Sequence, residues 1–211
     1  MIVDNFEKLV FFTMRYGIDI SAYQGMPDFG KVAEAGYSFC FVKATEGLKN
    51  RNLTQDIQQA RQAKQAGLDI GYYHYALGQD PKAEADAFGL SIEQISRAIG
   101  YRADFPLVLD IEDNKIKEQG RGFDRWVNDF SSRIEKYGYS TWLYSYTPYL
   151  NQRTAGGLTH LPLWIASYPK VFNESRRPTL PRGWQDFVCW QYSGSGRVAG
   201  IAGAVDLNIM P

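Results

Sequence analysis

Two carboxylates stand two positions apart at the end of an apolar run. Residues 105–113 read FPLVLDIED, with Asp110 and Glu112 at its end. The run predicts a buried strand of a parallel sheet. Side chains alternate between the faces of a strand, so both carboxyls point the same way, with Cα atoms about 7 Å apart. Such a pair can act as acid and base on one glycosidic bond, because close like charges raise the pKa of one carboxyl.

The same residues have a simpler interpretation. Asp-X-Glu triplets are common, and strand ends in α/β proteins are often polar without any catalytic role. The position of this pair favours catalysis, because the chemistry of barrels and open α/β sheets collects at the carboxyl ends of parallel strands.

Composition narrows the classes of partner. The 211 residues carry 23 Lys plus Arg and 23 Asp plus Glu, so no excess of positive charge favours nucleic acid or anionic lipid. The chain has 14 Tyr, 12 Phe and 5 Trp, and we expect some of these rings to stack on sugars while most pack in the core. The length fits a single domain, and we expect a monomer.

Cysteine and histidine, the residue types that most often bind transition metals, are few and scattered in the sequence. Cys40 and Cys189 lie far apart on predicted strands without the spacing of zinc ligands, so we expect two buried thiols. With only His74 and His160 besides, the sequence predicts no metal and no other cofactor. No Ser or Cys nucleophile motif accompanies His74, which favours a hydrogen-bonded core histidine over a catalyst.

Neither a secretory signal nor a membrane span is evident. Asp4 and Glu7 occupy the place where a signal peptide carries positive charge, and no small-residue cleavage site follows. No apolar run approaches the roughly 20 residues that a transmembrane helix needs, so we expect no membrane insertion.

Strands alternate with helices along most of the chain. We predict strands at 16–25, 37–47, 68–78, 105–113, 139–148, 162–169, 188–194 and 204–210. We predict helices at 28–36, 52–66, 81–99, 120–136 and 149–158. This order predicts an α/β fold, a modified TIM-like barrel with about eight strands and five main helices. Residues 1–15 are interpreted as an N-terminal appendage and residues 16–211 as a single barrel domain.

Six stretches, in this order along the chain, resemble one family, the glycoside hydrolase family 25 lysozymes or Chalaropsis-type muramidases. They are GIDISAYQG, FVKATEG, GYYHYA, LVLDIED, LWIASY and WQYSGSGRVAGIAGAVDLN. The resemblance extends from about Tyr16 to Asn208. It implies hydrolysis of the β-1,4 bond between N-acetylmuramic acid and N-acetylglucosamine in peptidoglycan strands.

The resemblance also implies roles for individual residues. Glu112 matches the proton donor and Asp110 the second acid, while Asp19 and Asp206 match two further acids of the catalytic groove. The residues that match the sugar-binding surface are Tyr73, Tyr144, Trp164, Tyr168 and Gln191. The family implies that the substrate's own 2-acetamido group attacks the anomeric carbon with net retention. Sequence spacing leaves direct attack by a carboxylate and an inverting route open.

Two other functions are compatible with these residues, namely a chitinase-like glycosidase and an inactive glycan-binding barrel. The chain has about 15 residues before the first motif and ends without wall-binding repeats. With no export signal seen, we expect a phage or prophage endolysin, made in the bacterial cytoplasm and acting on the cell wall after release.

Overall fold

The structure is a computed structural model that describes residues 14–50 and 52–211. Within them, eight strands close into one barrel in chain order, and the last strand pairs with the first. The strands are β1 (Arg15–Ile20), β2 (Tyr37–Glu46), β3 (Asp69–Tyr75), β4 (Leu107–Asp110), β5 (Thr141–Tyr146), β6 (Leu163–Ala166), β7 (Cys189–Gly196) and β8 (Val205–Met210). The α-helices are α1 (Phe29–Glu34), α2 (Leu53–Gln65), α3 (Pro81–Ile99), α4 (Arg121–Ile134) and α5 (Thr147–Arg153). The predicted barrel of eight strands and five helices is therefore confirmed.

One strand runs against the others. Strands β1 to β7 are parallel in sequence order, whereas β8 is antiparallel to both β7 and β1. Only the short glycine-containing segment 197–204 joins β7 to β8, so the chain turns back as a hairpin instead of crossing over through a helix. The carboxyl ends of β1 to β7 and the amino end of β8 consequently meet at the same mouth of the barrel.

Large side chains fill the barrel below this mouth. Phe39, Phe41 and Trp164 are buried there, and the rings of Phe41 and Trp164 lie 4.6 Å apart. Two glycines make room for these rings. A Cβ on Gly17 or on Gly71 would come within 2.2 Å of ring atoms of Phe39 or Phe41, respectively. The interior is thus a packed core, as expected for a barrel of this size, and the open space lies above it.

A second apolar layer lies between the strands and the helices. Phe88 and Ile92 of α3 are fully buried there, and so are Val127 and Phe130 of α4. These residues recur at three- or four-residue spacing, which places each pair on the barrel-facing side of its helix. The layer holds the helices against the strands whose ends form the mouth.

His74 belongs to this outer layer. Its side chain is fully buried, with Nδ1 2.7 Å from Thr45 Oγ1 and Nε2 2.8 Å from Glu84 Oε2. Burial lowers the pKa of His74, although hydrogen bonding to Glu84 opposes the shift. The prediction of a hydrogen-bonded core histidine is confirmed.

Most predicted strands are longer than the observed ones, and two of these differences concern residues of the site. The first ends at Ile20 instead of Gly25, because the Ser21 side chain caps a 3-10 helix at Ala22–Gln24. Gly25 then takes a positive φ of 63°, which is favourable only for glycine. The strand predicted at 105–113 covers only Leu107–Asp110, so Glu112 lies just beyond the sheet.

The predicted appendage, residues 1–15, falls largely on residues 1–13, which lie outside the described residues. Arg15 is already part of β1, where its guanidinium pairs with Asp69 at 2.6 Å. Cys40 and Cys189 are free and buried, as predicted. None of the helices in the described ranges has the length and apolar character that a membrane span requires.

Candidate active site

A cavity of about 240 Å³ opens at the mouth of the barrel. It is lined by Asp19, Ser21, Lys43, Tyr73, Tyr75, Asp110, Glu112, Tyr144, Trp164, Tyr168, Gln191 and Asp206. Every residue that the sequence predicted for catalysis or sugar binding therefore lies on this one cavity. The structure adds Ser21, Lys43 and Tyr75, which sequence reasoning did not assign to the site.

The strand register explains how distant residues converge. Asp110 pairs with Tyr75 of β3 on one side and with Tyr144 of β5 on the other. Asp19 of β1 is the register partner of Asp206, the second residue of β8. Because β8 is antiparallel, a residue near its start lies at the same level as the ends of its neighbours.

Asp110 is the more deeply buried member of the predicted catalytic pair. It is 6% exposed, and its Oδ1 atom is buried without a hydrogen-bond partner among the described residues. Burial raises the pKa of Asp110 well above its usual value, and the charge of Glu112 raises it further. The Lys43 ammonium opposes this shift. Asp110 therefore presents an oxygen that a bound molecule can satisfy with a hydrogen bond.

Glu112 is only partly buried and borders the open part of the cavity. Burial raises the pKa of Glu112, and the next largest cause is the charge of Asp206. A carboxyl with a raised pKa keeps its proton closer to neutral pH, so Glu112 is suited to donate a proton to a leaving group.

A second carboxyl pair lies across the cavity. Asp19 Oδ2 accepts hydrogen bonds from Gln191 Nε2 and from Asn208 Nδ2, each at 2.8 Å. Burial raises the pKa of Asp19 well above its usual value, and the charge of Asp206 raises it further. The pKa of Asp206 is also raised by burial, but its hydrogen bond with Asp19 lowers it. Burial thus raises the pKa values of both carboxyls in this pair.

Gln191 links this pair to the aromatic wall. While its Nε2 donates to Asp19, its Oε1 accepts from Tyr144 Oη at 2.8 Å and from Tyr168 Oη. Burial raises the pKa of Tyr144 well above its usual value and also raises that of Tyr168, so both phenols stay neutral donors. The network fixes the side chains on which a sugar ring would rest.

The aromatic residues predicted to bind sugar differ in exposure. Tyr168 is 58% exposed on the rim, whereas Trp164 is 1% exposed and belongs to the floor. The indole nitrogen of Trp164 donates to Asn208 Oδ1 at 2.9 Å, and its ring packs against Phe41 and Tyr144. Tyr168 thus offers an accessible face, while Trp164 supports the groups above it.

Lys43 is the one cationic side chain on the cavity within the residues that the structure describes. Its Nζ lies 2.8 Å from Glu46 Oε2 and 4.4 Å from the centre of the Tyr75 ring. It lowers the pKa values of both Asp110 and Glu112 against the raising effect of burial. Lys43 therefore helps to keep one of these carboxyls ionised in a site that is rich in acids.

The four carboxyl groups on the cavity favour acid–base chemistry. Across residues 14–50 and 52–211, no group of three or more His, Cys, Asp and Glu is arranged to hold a metal ion. Paired carboxyls with raised pKa values beside aromatic side chains are typical of sites that cleave glycosidic bonds.

The family model of the glycosyl hydrolases family 25 matches residues 18–201. The chain belongs to glycoside hydrolase family 25. The resemblance recognised in the sequence is thus confirmed, and its matching stretches supply the strand ends around the cavity.

Two curated proteins similar to the chain carry lysozyme names. The autolytic lysozyme of Clostridium acetobutylicum is 34% identical to the chain over 91% of the chain and 54% of that protein. Lysozyme M1 of Streptomyces globisporus is 33% identical over 91% of the chain and 66% of that protein. The chain therefore spans about half to two thirds of the length of these curated relatives. The crystal structure of a bacterial lysozyme from Streptomyces coelicolor superposes with a TM-score of 0.78 at 29% identity, covering 94% of this chain and 93% of that one.

Proposed function

We propose that the chain is a muramidase that hydrolyses the β-1,4 bond between N-acetylmuramic acid and N-acetylglucosamine in peptidoglycan. The observation that carries this proposal is the convergence of Asp19, Asp110, Glu112 and Asp206 on one cavity in a family 25 barrel. Lysozyme activity of the relatives in this family supports the choice of peptidoglycan as substrate.

Glu112 is the general acid in this proposal. It combines access to the cavity with a pKa raised by burial and by the charge of Asp206. Protonation of the glycosidic oxygen by Glu112 turns the departing sugar into a neutral alcohol, which lowers the barrier to bond cleavage. The same residue then accepts a proton from the water that completes hydrolysis.

Asp110 is the residue that positions and polarises the substrate's 2-acetamido group. Its buried Oδ1, without a hydrogen-bond partner among the described residues, can accept the amide N–H of that group. The acetamido oxygen is then turned toward the anomeric carbon, and the positive charge that develops on the ring and amide favours the ionised form of Asp110. Attack from within the substrate followed by attack of water gives net retention.

Asp19 and Asp206 are supporting acids in this scheme. The charge of Asp206 helps to keep Glu112 protonated until the substrate is bound. Asp19 holds Asp206 in place from β1 and is itself fixed by Gln191 and Asn208.

Digestion of peptidoglycan and of chitin side by side tests this function. We expect reducing ends of muramic acid from peptidoglycan and at most slow cleavage of chitin. Products from chitin alone would instead support the chitinase-like alternative. Binding of both polymers without any cleavage would identify a glycan-binding barrel that has no catalytic activity.

The phage or prophage setting expected from the sequence remains part of this proposal. The gene for an endolysin lies among phage genes, and the endolysin acts together with a second protein that opens the membrane. The neighbourhood of the gene that encodes this chain tests this. Genes for cell division or spore formation in its place would favour a bacterial autolysin.

A further inference from the structure

A larger cavity, here named the β7 cavity, lies beside the catalytic one. It has a volume of about 520 Å³ and lies between the end of β7 and the segment 167–173 that follows β6. It is lined by Tyr168, Pro169, Phe172, Tyr192, Ser193, Gly194, Ser195 and Leu207. Tyr168 lines both cavities, so a group attached to a molecule in the catalytic cavity can reach the β7 cavity past the Tyr168 ring.

One wall of the β7 cavity is an open strand edge. Strand β6 pairs with β7 only as far as Gln191, whose carbonyl accepts from the Ser167 N–H. Strand β7 continues to Gly196, and in the part of the chain that the structure describes no backbone hydrogen bond joins residues 192–196 to the segment after β6. The peptide groups of an added chain can pair with such an edge. This wall therefore favours a ligand that carries amide groups in an extended chain.

An aromatic contact fixes the segment after β6 beside this edge. The ring of Phe172 stacks on the ring of Tyr192 of β7, with 3.8 Å between the ring centres. Phe172 also packs against Trp190, whose indole nitrogen donates to the Ser167 carbonyl at 2.7 Å. The two walls are thus tied together at both ends of the segment, and the space between them is a built feature of the fold.

Two cations flank the β7 cavity. Lys170 follows Pro169 directly and Arg197 follows Gly196 directly, and both are exposed. Across residues 14–50 and 52–211, neither side chain forms an ion pair with a carboxylate. Unpaired cations of this kind attract a ligand that carries negative charge. Together with the strand edge, they indicate an acidic peptide.

We propose that the β7 cavity binds the peptide that a muramoyl residue carries on its lactyl group, with amide groups along β7 and carboxylates near Lys170 and Arg197. This inference rests on the proposed function, because the muramoyl residue is the sugar of peptidoglycan that carries a peptide. The enzyme then prefers strands with peptides over bare strands. It also prefers peptides with free carboxylates over peptides whose carboxylates are amidated.

The test uses soluble glycan strands without cross-links, in three forms. The first form carries peptides with free carboxylates, the second carries the same peptides with amidated carboxylates, and the third is bare and keeps only the lactyl carboxylate. For the wild-type protein we expect amidation to raise KM about threefold and removal of the peptides to raise it about tenfold. We expect kcat to change by less than about twofold, because the peptide binds outside the catalytic cavity.

A double variant, Lys170→Gln with Arg197→Gln, removes the charge beside the cavity. We expect its KM values for the two peptide-bearing forms to agree within about twofold, because the contact that distinguishes them is lost. The control, Arg125→Gln with Lys136→Gln, replaces two exposed cations on α4 and on the 3-10 helix that follows it, and keeps the threefold difference. A double variant as sensitive to amidation as this control would overturn the assignment of the cations.

Ser195→Leu narrows the β7 cavity from an exposed position at the open edge. We expect the ratio of KM between bare and peptide-bearing strands to fall from about tenfold to less than about twofold. Ser132→Leu, at an exposed serine of α4, is the matched control and keeps the wild-type ratio. Circular dichroism checks that both variants are folded.

Three outcomes overturn the inference or its basis. Cleavage of all three forms by the wild-type protein with the same KM would remove the peptide site and leave the muramidase function intact. The wild-type ratio in folded Ser195→Leu, or a lower KM for bare strands than for peptide-bearing ones, would exclude the β7 cavity as the place where the peptide binds. Absence of muramic acid ends from every form would instead remove the proposed function itself, and the inference with it.

Discussion

Asp19 and Asp206 are register partners across the antiparallel pair of β1 and β8. Asp19 lies near the end of its strand and Asp206 near the start of its own, and both side chains line the catalytic cavity. Because β8 runs antiparallel to its neighbours, it begins at the mouth of the barrel and contributes the Asp206 carboxyl there. Its charge reaches Glu112 and raises the pKa of that residue, in addition to the effect of burial.

Replacement of Asp206 by Asn removes this charge while keeping the shape of the side chain. Glu112 must be protonated to donate, so the alkaline limb of the pH–rate profile follows its pKa. Without Asp206 that pKa falls, and we expect the alkaline limb of kcat/KM to move to lower pH. Initial rates on peptidoglycan between pH 4 and pH 9 measure the shift. An unchanged or upward limb would exclude coupling between Asp206 and the general acid.

Replacement of Lys43 by Met is expected to shift the pH–rate profile in the opposite direction. The Lys43 ammonium lowers the pKa values of Asp110 and Glu112, both of which burial raises. Its removal raises both values, so we expect both limbs of the profile to move to higher pH. The double variant with Asp206→Asn is expected to have an alkaline limb between those of the two single variants. Lys31→Met is the control, because Lys31 forms an exposed pair with Asp28 on α1.

Glu112→Gln keeps the size and hydrogen-bonding capacity of the side chain but removes the proton. Loss of a positioned acid costs about 10²–10⁴-fold in rate, so we expect kcat on peptidoglycan to fall within that range with little change in KM. Circular dichroism checks that the variant is folded. Lysis at more than about a tenth of the wild-type rate would show that another group donates the proton.

Asp110→Asn tests the second acid of the pair. We expect a loss of about a hundredfold or more in kcat, because an amide cannot stabilise the charge that develops on the acetamido group. Asp113→Asn is a control on the same segment, and kcat is compared at the optimum pH of each variant, because the charge of Asp113 also raises the pKa of Glu112. The Asp113 side chain lies outside the cavity lining and accepts from Tyr75 Oη at 3.4 Å and from the backbone N–H of Lys115. Equal losses in both variants would point to a disturbed loop instead of a catalytic role for Asp110.

Strand periodicity accounts for the part of the site that could be predicted. Period-two alternation places Tyr73 and Tyr75 on one face of β3 and His74 on the other, and the structure has this arrangement. The same alternation places Asp206 and Asn208 on one face of β8. Asn208 does not line the cavity, but it holds Asp19 in place from below.

Local turn chemistry explains what the apolar pattern missed. The apolar run GIDISAYQG reads as one strand, but the Ser21 side chain accepts from the Tyr23 N–H, and Gln24 Oε1 accepts from the Ser21 N–H. This capping box ends β1 at Ile20 and places Ser21 on the edge of the catalytic cavity. Gln55 and Gln59 of α2 donate to the backbone carbonyls of Ala22 and Ser21, respectively, which strand periodicity does not specify.

Substitution of the buried His74 is expected to lower stability without a large effect on catalysis. The His74 ring lies between Phe88 and Phe130, at 5.5 and 5.2 Å between ring centres, and is hydrogen bonded to Thr45 and Glu84. Truncation by His74→Ala leaves a cavity and removes a partner from a buried carboxyl, so we expect a loss of about 3–5 kcal/mol in the free energy of unfolding. Urea denaturation measures this loss.

His160→Ala is the matched control for that measurement, because the other histidine of the chain is exposed. We expect it to change stability by less than about 0.5 kcal/mol. His74 lies on the face of β3 opposite to Tyr73, so the folded fraction of His74→Ala should keep a kcat within about twofold of the wild-type value. A large fall in kcat at full folding, with a shifted pH profile, would instead place His74 in the catalytic network through Thr45 at the end of β2.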